Sequence, residues 1–155
     1  MKWYLSAVAK NSLSGTSSWD LESDTINVVL VSEDYTFDQG HTSYASQIAP
    51  NEFQASSPGY SAGGQVLTSS SGVTPRWTLL SSQPRWYYGL QGYLPVQWNQ
   101  VTATGSSKIA GLVLVHNSSG EPIAYQRLVP RAPSNQNVRV SWPEDGILAL
   151  EVEKV

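Results

Sequence analysis

Almost every periodic stretch of this chain alternates apolar and polar residues with period two. Val138, Val140 and Trp142 alternate with Arg139 and Ser141, and Leu148, Leu150 and Val152 alternate with Ala149, Glu151 and Glu153. Such alternation predicts half-buried strands with one wet face. Residues 26–31 and 109–115 are instead apolar in both phases, as expected of central strands covered on both sides. Residues 3–8 read as a further strand, and residues 76–98 hold two or three short ones. Turn chemistry separates them. Asn117-Ser118-Ser119-Gly120 predicts a hairpin between 109–116 and 122–128, and Pro143-Glu144-Asp145-Gly146 predicts another between 138–142 and 147–152. The one helical candidate is 42–48, two turns at most, ahead of Pro50. The sum is an all-β fold, an antiparallel β-sandwich or barrel with long loops and at most one short helix.

A length of 155 residues sets this as one domain, 1–155, large enough to bury a core without staples. With no cysteine, disulfide scaffolds and thiolate metal sites are excluded. Nine Lys and Arg against twelve Asp and Glu leave a net charge of −3, which argues against a basic groove for nucleic acid. Charged residues make up 14%, below the roughly 25% of ordinary soluble domains. That low charge suits a surface pressed against neighbours, and equally a secreted β protein. No apolar run approaches the ~20 residues of a membrane helix. The start, Met-Lys-Trp-Tyr-Leu-Ser-Ala-Val-Ala, reads as a strand rather than a signal peptide, because Ser6 breaks its short apolar run.

Candidate chemistry is sparse. Gly59-Tyr60-Ser61-Ala62-Gly63 matches the nucleophile elbow of hydrolases, which needs a strand, a sharp turn, a helix, and then an acid and a histidine. Here a strand-like Gln65-Val66-Leu67-Thr68 follows, and no Asp or Glu lies between Glu52 and Glu121. The glycines then serve the backbone and Tyr60 caps a core edge. Asp20, Glu22 and Asp24 alternate, leaving open either a calcium loop or a solvated acidic loop. His41 and His116 lack paired ligands, as expected of hydrogen-bonded structural histidines. Trp77, Trp86, Tyr87, Tyr88, Tyr93 and Trp98 crowd into one segment. Trp77 and Trp98 are expected inside; Arg85, Trp86, Tyr87, Tyr88 and Tyr93 form the candidate interface, since Trp, Tyr and Arg anchor protein contacts.

Several motifs in order resemble a family of small virion structural proteins of tailed bacteriophages. They are Asp24-Thr25-Ile26-Asn27-Val28-Val29-Leu30, then Tyr35-Thr36-Phe37-Asp38-Gln39-Gly40-His41, then Gly59-Tyr60-Ser61-Ala62-Gly63-Gly64. Val96-Gln97-Trp98, the apolar strand 110–115 with its return through 123–125, and the Val140–Ile147 pattern continue the likeness over most of the chain. Residues 76–94 depart from it, carrying Trp and Tyr where the family has a polar strand pair. The resemblance implies a non-enzymatic decoration or cement protein on the capsid exterior, assembled in the host cytoplasm. Its expected partners are the major capsid protein and copies of itself, with no cofactor, no metal, no nucleic acid and no membrane. A tail or head-fibre component is the close alternative, and a carbohydrate-binding adhesin module, with a glycan partner, the further one.

Overall fold

The two stretches that are apolar in both phases lie side by side at the centre of the fold. A computed structural model of the chain describes residues 4–5, 20, 22–56, 59–69, 76–81, 85–142 and 149–153, with backbone alone at 4–5, 76–81, 85–90 and 149–153. Strand β2, Ile26–Val31, pairs antiparallel with β8, Ile109–His116, from Ile26↔His116 to Val31↔Gly111. Strand β9, Glu121–Arg131, returns along β8 through the predicted turn, where the Gly120 N–H bonds the His116 carbonyl at 2.9 Å. Strands β1, Tyr4–Leu5, and β4, Gln65–Val66, complete a sheet of order β1-β9-β8-β2-β4.

A second sheet, of order β10-β7-β3, is built on β7, Val96–Ala103, flanked by β10, Gln136–Val140, and β3, Ala55–Ser56. The two sheets share the main core. Ile26, Val28, Leu30, Leu112 and Leu114 from one meet Val96, Trp98, Val101 and Val140 from the other. A register shift between Leu114 and Val115 brings both Ile123 and Ala124 of β9 to that core, the re-aiming a bulge provides.

The opposite face of the five-stranded sheet is covered by a loop, which explains the aromatics after β2. Tyr35 and Ile48 pack on Val29, Val31, Val113, Val115 and Tyr125, with Phe37 and Tyr44 at the margin. Within that cover the chain makes one wide turn, Tyr44–Ile48, closed by the Ala49 N–H on the Tyr44 carbonyl, and then a 3₁₀ turn, Ala49–Asn51. The expected helix is therefore one i→i+5 turn; Pro50 falls in the 3₁₀ turn, where its missing N–H has no partner to lose.

The third sheet has the order β11-β6-β5, with β5 at Arg76–Ser81, β6 at Arg85–Gln91 and β11 at Ala149–Glu153. This corrects one expectation. Strands β10 and β11 do not pair: β10 joins β7 (Val138↔Trp98, Val140↔Val96) and β11 joins β6 (Leu150↔Tyr88). Alternation fixes which residues face a core but not which neighbour a strand takes. Val140 is needed to close the main core, and the Trp142 indole N–H donates to the Leu94 carbonyl at 2.8 Å, tying the end of β10 beside the start of β7. The intervening 143–148 lie outside the described residues.

Candidate functional site

The glycine-framed tyrosine organises a buried carboxylate. Glu52 is 3% exposed. One of its oxygens accepts from the Tyr60 hydroxyl and from the Gly63 N–H at 2.8 Å; the other accepts from the Tyr44 hydroxyl. The Tyr60 oxygen in turn accepts the Leu30 N–H at 3.0 Å, so one phenol joins β2 to the carboxylate. Its ring packs edge-on against Phe53 and tilted against Trp98, with centroids 5.8 and 5.7 Å away. Burial first, and then the charge of Glu52, push the pKa of Tyr60 well above the ordinary phenol value; burial and the hydrogen bond to Glu52 do the same at Tyr44. Both hydroxyls therefore remain donors at neutral pH. Tyr60 lies within the main core rather than at its edge. Gly64 follows because the chain presses on β2: a Cβ there would stand 2.0 Å from the Val28 carbonyl oxygen, and its φ is +71°. Ser61 is exposed, its carbonyl accepts the Gly64 N–H, and strand β4 comes next. The geometry is a clasp, with none of the elbow's following helix.

Both histidines are hydrogen-bonded. His41 Nδ1 meets the Tyr35 hydroxyl at 3.1 Å. His116 is buried, with Nδ1 2.8 Å from Ser119 Oγ and Nε2 3.1 Å from an Asp24 oxygen. Sequence reasoning from Ser61 missed this Ser–His–Asp line, because Asp24 precedes β2 by two residues and only strand pairing carries it to the hairpin. The His116–Ser119 separation of three residues is a signal the sequence did hold. Ser119 Oγ also accepts the Glu121 N–H at 3.3 Å, and Asp24 accepts the Asp20 N–H at 2.7 Å. These bonds fasten the hairpin turn to the loop entering β2. In that loop the Ser23 hydroxyl and the Glu22 N–H bond Asp20 and hold its carboxyl below the ordinary range. Among the described residues no group of three or more metal-ligating side chains converges.

The candidate interface is divided by the structure. Arg85, Trp86, Tyr87 and Tyr88 are successive positions of β6, so they alternate between its faces. In register, Trp86 and Tyr88 stand with Val152 and Leu150 of β11, and Tyr88 with Leu79 of β5; Leu90 stands with Trp77. Arg85 and Tyr87 share the other face with Glu153 and Glu151. Apolar positions thus collect on one face of the third sheet and charged ones on the other. Tyr93 belongs elsewhere. It is half-buried against the main core and bridges Ser69, and burial with the charges of Asp20, Asp24 and Glu22 pushes its pKa up to about 12. Of the two tryptophans expected inside, Trp98 is 5% exposed; the Trp77 side chain lies outside the described residues.

A groove of about 470 Å³ opens over the loop-covered face, lined by Tyr35, Phe37, Tyr125, Glu33, Gln39 and Arg127 among others. Gly111 makes it possible: a Cβ there would stand 2.5 Å from the Tyr125 ring, which instead lies across β8 and stacks on Phe37 at 5.3 Å and 11°. Burial pushes the Tyr35 pKa up to about 12. No known protein family, curated protein or solved structure matches this chain.

Proposed function

We propose that this chain is a non-enzymatic structural protein of a tailed-phage virion, a decoration or cement protein that binds the outer capsid shell. The observation that supports the reading is the register of the third sheet. It gathers Trp77, Leu79, Trp86, Tyr88, Leu90, Leu150 and Val152 on one face, the kind of aromatic and apolar set that anchors protein contacts. The family resemblance supplies the virion. In this role the rigid β domain bridges neighbouring shell subunits, and many copies multiply a modest interface through avidity. A net charge of −3 suits the outer surface better than one facing packed DNA. The test is reconstitution: purified protein is added to capsids of the encoding phage prepared without it, and the particles are imaged. Ordered, saturable density on the shell is expected; bare shells at saturating protein, or density on tails alone, would overturn the reading.

A second reading, a carbohydrate-binding module, is favoured by one feature, the Tyr35–Phe37–Tyr125 groove with its carboxylate, amide and guanidinium. Glycan-array binding that is lost in Arg127→Ala, together with bare shells, selects it.

A further inference from the structure

Charge is segregated along this chain. Its net charge is −3, yet no Asp or Glu lies between Glu121 and Glu144, a stretch that holds Arg127, Arg131 and Arg139. All three arginines are exposed, and none of their side chains has an ion-pair or hydrogen-bond partner among the described residues. Lys108, by contrast, is bridged to Glu33 at 3.1 Å.

Arg131 and Arg139 flank a groove of about 430 Å³ walled by Leu128, Val129, Pro133 and all four residues of 136–139. The β10–β7 register shifts between Gln136 and Val138, and successive strand side chains point to opposite faces; a groove touching four residues in a row across that shift runs along the strand's edge and not over a single face. Among the described residues that edge is open: β10 pairs only with β7, and the one further hydrogen bond to residues 136–140, from the Gln100 N–H to Asn137 Oδ1 at 3.1 Å, also comes from β7. At its side Val129 is 76% exposed, against 44% for Val66 and 43% for Leu94. An unpaired strand edge is a template for another strand.

We infer that the open edge of β10 is a docking site for an extended acidic segment of a partner polypeptide, which adds to the sheet as a strand. Backbone hydrogen bonds supply affinity, and alternate side chains supply specificity. Carboxylates of the segment pair with Arg131 and Arg139, and its apolar residues cover Val129. A nucleic acid fits less well, because it requires a broad basic surface and gains nothing from an exposed valine. A second copy of this chain is also disfavoured. Both of its own alternating acidic runs are already engaged: Asp20–Asp24 is folded into a turn, where the Ser23 hydroxyl bonds Asp20 and His116 bonds Asp24, and Glu151 and Glu153 lie in β11, paired with β6. The inference stands whichever particle or complex the chain serves.

The test uses the full chain and a fluorescein-labelled hexapeptide, Asp-Val-Glu-Val-Asp-Val, followed by anisotropy. Three comparisons accompany it: the Asn/Gln version of the peptide, a version N-methylated at alternate amides, and a short single-stranded oligonucleotide. The expected result is saturable binding, with amide exchange slowed at residues 136–140. The double change Arg131→Ala with Arg139→Ala weakens binding about tenfold while circular dichroism is unchanged. The Asn/Gln peptide is weakened to a similar degree, and N-methylation abolishes binding. Failure of the hexapeptide to bind at millimolar concentration overturns the inference. So does equal binding by the double variant, equal binding by the N-methylated peptide, or binding of the oligonucleotide alone.

Discussion

Replacing Tyr60 by Phe deletes one oxygen from the most connected polar position of the core. That oxygen donates to the buried Glu52 carboxylate and accepts the Leu30 N–H. A hydrogen bond to a charged group contributes about 1.5–3 kcal/mol, and a buried N–H left without an acceptor costs about 1–3 kcal/mol. The two together give roughly 3–5 kcal/mol, since Phe refills the ring's space between Phe53 and Trp98 and no cavity term is added. Against a total of about 5–15 kcal/mol for a domain, a third of the stability is at stake, and Tm falls by roughly 10 °C. The internal comparison is Tyr44→Phe. Tyr44 bonds the other Glu52 oxygen from a half-exposed position, where water replaces the lost donor, and the expected cost is about 1 kcal/mol. Urea unfolding at pH 7, followed by tryptophan fluorescence, measures both. A loss below about 1 kcal/mol in Tyr60→Phe, or one no larger than in Tyr44→Phe, refutes the clasp.

The tyrosines also set an alkaline limit. Folded-state pKa values are raised at Tyr35, Tyr44, Tyr60 and Tyr93, to about 12 at the first and last of these. Above pH 10 the unfolded chain therefore releases protons that the folded one retains. Stability is fully present below pH 10 and is lost as pH rises from there through 12 and beyond; urea midpoints at pH 8, 10 and 11 that do not decline would contradict this. Gly64→Ala, with its Cβ 2.0 Å from the Val28 carbonyl oxygen at a φ of +71°, should cost about 2–5 kcal/mol by urea unfolding; a near-neutral change would show that the turn relaxes freely. Leu114→Asp places a charge at a fully buried central position and should leave no folded protein in circular dichroism; a cooperative melt would mean that β8 is misplaced.

Strand existence was legible in this sequence; strand partnership was legible at the tight β8–β9 turn and not for β10. The double-phase apolar runs of β2 and β8 announced burial on both faces, and Asn117–Gly120 announced the β8–β9 hairpin, because both signals are local. The neighbour of β10 depends on Val140 reaching the main core and on the Trp142 indole reaching Leu94, contacts that no local pattern contains. The same limit applies to the site. Gly59–Gly64 was visible as a motif, but its partner Glu52 stood eight residues upstream of Tyr60 as an ordinary acid in a polar loop. The hydrogen bond between His116 and Asp24 joins residues 92 apart. For the candidate interface, composition marked the segment as a whole, and only register separated Trp86 and Tyr88 from Arg85 and Tyr87.

That separation gives the most direct measurement of the proposed role. Binding isotherms are collected on capsids lacking the protein, for the wild type, the double change Trp86→Ala with Tyr88→Ala, and the double change Arg85→Ala with Tyr87→Ala, each checked for fold by circular dichroism. The account predicts saturable binding by the wild type, retained within a few-fold by the Arg85/Tyr87 pair, and weakened at least a hundredfold by the Trp86/Tyr88 pair, as for central anchor residues. Undiminished binding by a folded Trp86/Tyr88 variant would contradict it, and so would unfolding of that variant, which would assign both residues to the protein's own core.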